Sequence, residues 1–155
     1  MRLLAVVVYF AATFLLAGCF SLQPVVTSAD GHEHSHGAMV VTSPQLGHVS
    51  LEPTTCTAGD HELFLGGDFG DPKAGMVVRL VVDPLGGAAV RVFSPAKPME
   101  QGVVFHRSEC RTFHFNLDTT GWRINEYRDY RLSLELDCST DETSVQGSLS
   151  TPHCS

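Results

Sequence analysis

Beyond residue 46 the dominant spacing between apolar positions is two residues rather than 3.6, the signature of half-buried strands. The cleanest run sets Tyr130, Leu132, Leu134, Leu136 and Cys138 against Arg131, Ser133, Glu135 and Asp137. Successive side chains of a strand point to opposite faces, so the first set is assigned to the core and the second to solvent. Met76, Val78, Leu80 and Val82 form a second face, opposed by Val77, Arg79, Val81 and Asp83. Arg111, Phe113, Phe115 and Leu117 form a third, opposed by Thr112, His114, Asn116 and Asp118. Shorter candidate strands cover residues 49–51, 62–65, 88–93, 103–106, 122–125 and 145–149.

Turn chemistry separates these runs. Gly66-Gly67, Asp71-Pro72, Asp83-Pro84 with Gly86-Gly87, residues 95–98 and Thr120-Gly121 interrupt the alternation. Residues 139–142 turn the longest run back into residues 145–149 as a hairpin. No mature segment carries a helical period. About eight short strands in residues 47–155 predict an all-β domain, a single antiparallel β-sandwich, with a small barrel as the alternative.

The beginning of the chain has a different pattern. Arg2 precedes an apolar run over residues 3–16 that only Tyr9 and Thr13 interrupt, and small residues close it. The run is shorter than the ~20 residues of a spanning helix and has the form of a signal peptide, residues 1–18. The four residues across its end, Leu16-Ala17-Gly18-Cys19, resemble the lipobox of bacterial lipoproteins. That resemblance implies a diacylglycerol on the Cys19 thiol, cleavage before Cys19 and acylation of the new amine, which would tie the chain to a lipid bilayer. Several acyl chains hold stably, whereas one holds marginally at ~0.8 kcal/mol per buried CH₂. In lipoproteins of enteric bacteria an Asp after the lipidated Cys is the usual inner-membrane retention signal. Phe20 stands there, which favours the outer membrane.

Residues 19–46 read as the lipidated Cys and a flexible tether, largely polar with short apolar pieces such as Val25-Val26 and Met39-Val40-Val41, with the domain starting near Gly47. His32, Glu33 and His36 satisfy H-E-x-x-H, but Gly31 and Gly37 bracket a segment with no apolar face to anchor the helix that zinc proteases require. His32, His34 and His36 instead suit weak capture of Zn²⁺, Cu²⁺ or Ni²⁺ on the tether.

Four cysteines remain once Cys19 is assigned to lipid: Cys56, Cys110, Cys138 and Cys154. An even number in an exported chain implies two disulfides, whose pairing the sequence leaves open among three connectivities. No C-x-x-C spacing supports redox chemistry or a thiolate zinc site.

Composition narrows function further. The 155 residues carry 10 Lys+Arg against 17 Asp+Glu, net −7, and loss of Arg2 with the signal peptide makes the mature chain −8. The few bases are scattered, so no nucleic-acid footprint is visible. Asp60, Glu62, Asp68 and Asp71 crowd one loop-rich stretch as candidate calcium ligands, although the spacing is not that of the twelve-residue calcium loop. His106, His114 and His153 with Asp118 or Ser108 are the candidate nucleophilic groups, without a Gly-x-Ser-x-Gly elbow. Trp122, Tyr127 and Tyr130 are a candidate aromatic patch.

Cys56 early, Cys110 mid-chain, Leu-Glu-Leu-Asp-Cys ending at Cys138 and the final His153-Cys154 resemble small β-rich lipoproteins of myxobacteria and their relatives. The resemblance implies the fold and the anchor, and no activity. The expected function is that of a non-enzymatic envelope lipoprotein, a binding or structural accessory module whose envelope protein partner the sequence does not name. A periplasmic metal-binding lipoprotein using the His-rich tether is the alternative.

Overall fold

A computed structural model describes residues 35–124 and 126–155. The expected signal peptide, Cys19, His32 and His34 lie outside the described residues. Ten strands form two antiparallel sheets among the described residues: β1 (His36–Ser43), β2 (Gly47–Leu51), β3 (Thr55–Ala58), β4 (Leu65–Asp71), β5 (Met76–Val82), β6 (Ala88–Phe93), β7 (Val103–His106), β8 (Cys110–Ile124), β9 (Tyr127–Ser139) and β10 (Ser144–Cys154). One sheet has the order β2-β1-β10-β9-β8 and the other β3-β4-β5-β6-β7. The chain changes sheet only between β2 and β3 and between β7 and β8, and the sheets stay separate rather than closing into a barrel. The expected β-sandwich is therefore the observed architecture.

The core forms where the alternating faces meet. Leu132, Leu134, Leu136 and Leu149 from the first sheet are buried with Phe69, Leu80, Val90 and Phe105 from the second. Register follows the predicted parity: Leu134 lies opposite Leu149 and Phe115, while Glu135 lies opposite Ser148 and His114 on the outer face. The hairpin between β9 and β10 closes over residues 140–143, with the Thr140 N–H donating to the Thr143 carbonyl.

Four departures from the sequence reading have physical reasons. The predicted tether contains β1, which sits between β2 and β10. Its own apolar run is only Ala38-Met39-Val40-Val41, but backbone pairing on both edges and full burial of Met39 and Val41 make it a strand. Gly147 permits that pairing, since at φ 144° a side chain there would collide with the Ala38 carbonyl. Of the candidate strand at residues 62–65 only Leu65 is in one, as the first residue of β4: a 3₁₀ turn (Gly59–Glu62) ends at Leu63 in the left-handed region, φ 64°. Gly66-Gly67 is not a turn but the start of β4, where any Cβ on Gly67 would press on Cys154 Sγ and Leu132 at 2.9 Å. Finally, residues 122–124 are not a separate strand but the end of β8. β8 passes through Thr120-Gly121 with a shift of register between Thr119 and Arg123, the mark of a bulge.

The disulfides join Cys56 to Cys154 and Cys110 to Cys138. The first ties β3 to β10 and so links the two sheets; the second links neighbouring strands β8 and β9. A shift in β10 between Thr151 and Cys154 brings Cys154 opposite Tyr130 and within reach of β3. Asp71 fastens the β2–β3 crossing, accepting from the N–H groups of Glu52 (2.7 Å), Lys73 (2.9 Å) and Ala74 (3.0 Å). Burial alone would raise its carboxyl, but these donors together with the Lys73 charge outweigh that and hold it below the usual carboxylate range.

Candidate interaction site at the end of the β8–β9 hairpin

Beyond Tyr130, β9 pairs only with β8, so the hairpin outruns the rest of its sheet. The 3₁₀ turn from the other sheet packs against it. The Tyr130 hydroxyl donates to Asp60 (3.0 Å to Oδ1), and the His61 ring stacks on Tyr127 with centroids 3.8 Å apart. Burial first, and then the Asp60 hydrogen bond, raise the Tyr130 phenol above its ordinary range, with nearby Arg128 opposing.

Arg79 holds this turn on the outer face of the second sheet. Its Nε and Nη2 donate to both oxygens of Asp68 (2.8 and 2.6 Å), and Nη2 also meets Glu62 at 2.7 Å. Its guanidinium lies between the rings of Phe64 and Phe93, 4.7 and 5.4 Å from their centroids. The hydrogen bond to Asp68 outweighs burial and holds Arg79 above its ordinary value, so it stays charged. With Glu62 and Phe64 clamped, Leu63 projects into solvent at 95% exposure.

Hairpin and turn enclose an open depression of about 430 Å³, lined among others by Leu63, Leu65, Arg123 and Arg128. Arg123 and Arg128 are cross-strand partners, an arrangement that places two like charges side by side. Among the described residues no salt bridge reaches either. Trp122, the only tryptophan of the chain, is 73% exposed at the same hairpin end. The site therefore combines exposed apolar groups with two closely spaced cations on a backbone fixed by hydrogen bonds and an ion pair.

The predicted aromatic patch is thus divided: Trp122 and Tyr127 reach the surface, whereas Tyr130 is buried. The four acidic residues considered as calcium ligands have three different sets of partners, Asp60 with Tyr130, Glu62 and Asp68 with Arg79, and Asp71 with backbone N–H groups. Among the described residues no group of three His, Cys, Asp or Glu side chains is placed to hold a metal ion. His36 is fixed at the start of β1 opposite Ser150, not carried on a tether.

The candidate nucleophilic groups are also dispersed. His106 ends β7, His114 on the edge strand β8 pairs with Glu135, and Asp118 accepts from Asn116. His153 has a partner that the sequence reading missed: its Nδ1 lies 2.7 Å from the buried Asp129, which also accepts from Thr120 and from the Cys154 N–H. The His153–Asp129 contact spans 24 residues of sequence through the shift in β10, and no local motif announces it. The Trp122-Arg123 and Tyr127-Arg128 pairs on either side of the hairpin turn are a sequence signal that alternation alone did not reveal. No protein-family model, curated protein or solved structure matches this chain.

Proposed function

We infer that the chain is an exported envelope lipoprotein, anchored in a bilayer through acylated Cys19, that serves as a non-enzymatic binding or structural accessory of an envelope assembly. The observation that carries this reading is the account of the five cysteines. Cys56, Cys110, Cys138 and Cys154 are consumed in two disulfides, a pattern suited to an oxidising compartment. The fifth, Cys19, stands at the end of the apolar leader, where the lipobox resemblance places the acyl chains. The outer membrane is the proposed location, following from Phe20 at the position after Cys19.

The accessory role is supported by a scaffold of sheets and bridges whose exposed functional groups lie at a hairpin end. Crosslinking intact cells and recovering the lipidated protein from membranes tests it. Reproducible capture of an envelope protein, lost on solubilisation without crosslinker, is expected. Turnover of a substrate by the purified protein would overturn the non-enzymatic reading.

A further inference from the structure

The two most prominent apolar projections near the hairpin, Trp122 and Leu63, share their end of the sandwich with a third feature, the start of β1. β1 and β9 both run antiparallel to β10 and hence parallel to each other. His36 is level with Ser133, so the chain reaches β1 from the side where β9 begins, the side of Tyr127 and Arg128. The lead from Cys19 thus joins the domain at the end that carries Trp122, Leu63 and the Arg123–Arg128 pair.

We propose that this end seats against the headgroup layer of the bilayer that holds Cys19, with Trp122 and Leu63 entering the interface and Arg123 and Arg128 meeting lipid phosphates. The proposal rests on the reading of Cys19 as a lipid anchor. Tryptophan, with an apolar body and a polar N–H, settles at the membrane–water boundary, and arginine places its stem along apolar surface while its head stays with phosphates. Like charges on directly paired strand positions disfavour each other, and a phosphate that accepts from both arginines relieves this. Asp60 and Glu126 also line the depression, and the mature chain is net −8, so attraction to a strongly anionic surface is not the driving force. Zwitterionic headgroups with apolar insertion fit better. A protein partner or a second copy would instead cover Trp122 without lipid.

Trp122 is the only tryptophan, so its fluorescence reports this site alone. The lipidated protein is reconstituted into phosphatidylethanolamine vesicles containing a minor share of phosphatidylglycerol, with bromine on shallow or deep acyl positions. Shallow bromolipid is expected to quench Trp122 more than deep bromolipid, and iodide in the water to quench it less than it quenches the denatured protein. Leu63→Asn keeps a residue that tolerates the left-handed backbone, and Arg123→Gln with Arg128→Gln removes the charge pair. Both variants should lower bromolipid quenching several-fold with unchanged thermal melts.

Full iodide access and no bromolipid quenching, in protein whose mass shows acylated Cys19, overturns the proposal while leaving the anchor intact. Iodide protection without bromolipid quenching assigns the end to a protein occupant and equally overturns it. If the mass shows Cys19 unmodified, the anchor reading falls, and protein added to the same vesicles still decides the hairpin end: bromolipid quenching supports lipid seating, and its absence refutes it.

Discussion

Truncation of Leu134 to Ala isolates the strand period on which the sandwich rests. Leu134 is 1% exposed and lies between Leu149 on β10 and Phe115 on β8, while Glu135, one residue on, is exposed between Ser148 and His114. The substitution removes three buried carbon atoms, which at ~0.8 kcal/mol each is about 2.4 kcal/mol of lost transfer free energy. The surrounding sheets are pinned by two disulfides and relax little, so a cavity penalty adds to this. The total expected is between about 2.5 and 5 kcal/mol. Glu135→Ala removes no ion pair seen among the described residues and should stay within about ±0.5 kcal/mol. Urea melts of both variants under non-reducing conditions, with unchanged slopes, supply the comparison. If Glu135→Ala proves as damaging as Leu134→Ala, the assignment of faces along β9 is wrong.

Two further predictions concern the covalent and electrostatic ties. Removing the Cys56–Cys154 bridge by paired Ala substitution should cost more than removing Cys110–Cys138, because it frees a separation of 98 residues rather than 28. Chain entropy gives about 4.7 against about 3.6 kcal/mol, and melts of the two double variants should differ by about 1 kcal/mol in that order. Asp71→Asn should destabilise at neutral pH by about 1–3 kcal/mol, because an amide nitrogen cannot accept from the N–H groups that the carboxylate receives. The folded-state carboxyl is depressed, so its stabilisation is present above the unfolded value of about 4 and is lost as pH falls through the folded one. Urea midpoints of wild type and Asp71→Asn should therefore converge on acidification below about pH 4. A gap that stays constant to pH 2 would refute that assignment.

The strands that were readable in the sequence are those whose core face is written within one run. β9 displays five apolar residues in alternation, and β5 and β8 display four or nearly so, which is enough to set parity without partners. β1 was hidden because its stability comes from pairing on both edges, with β2 just after it and with β10, whose Ser144 pairs Thr42 and whose Ser150 pairs His36 from the far end of the chain. Leu63-Phe64-Leu65 looked like a strand because exposed and half-buried apolar residues are indistinguishable by type. Leu63 is in fact solvent-facing, and Phe64 stacks on Arg79. At the hairpin end the aromatic residues were visible, but the Asp60–Tyr130 contact across 70 residues, which fixes their surroundings, was not. The disulfide partners likewise depended on the shift in β10 that turns Cys154 toward β3.

The proposed anchorage through Cys19, on which both the accessory role and the orientation of the hairpin end rest, is decided by the mass of the N-terminal peptide from the membrane fraction. A mature chain that begins at Cys19 and carries a thioether diacylglycerol and an N-acyl group is expected, with Cys19→Ala remaining unlipidated and uncleaved or mislocalised. An unmodified Cys19 within an intact peptide beginning at Met1, in wild-type cells, would contradict it.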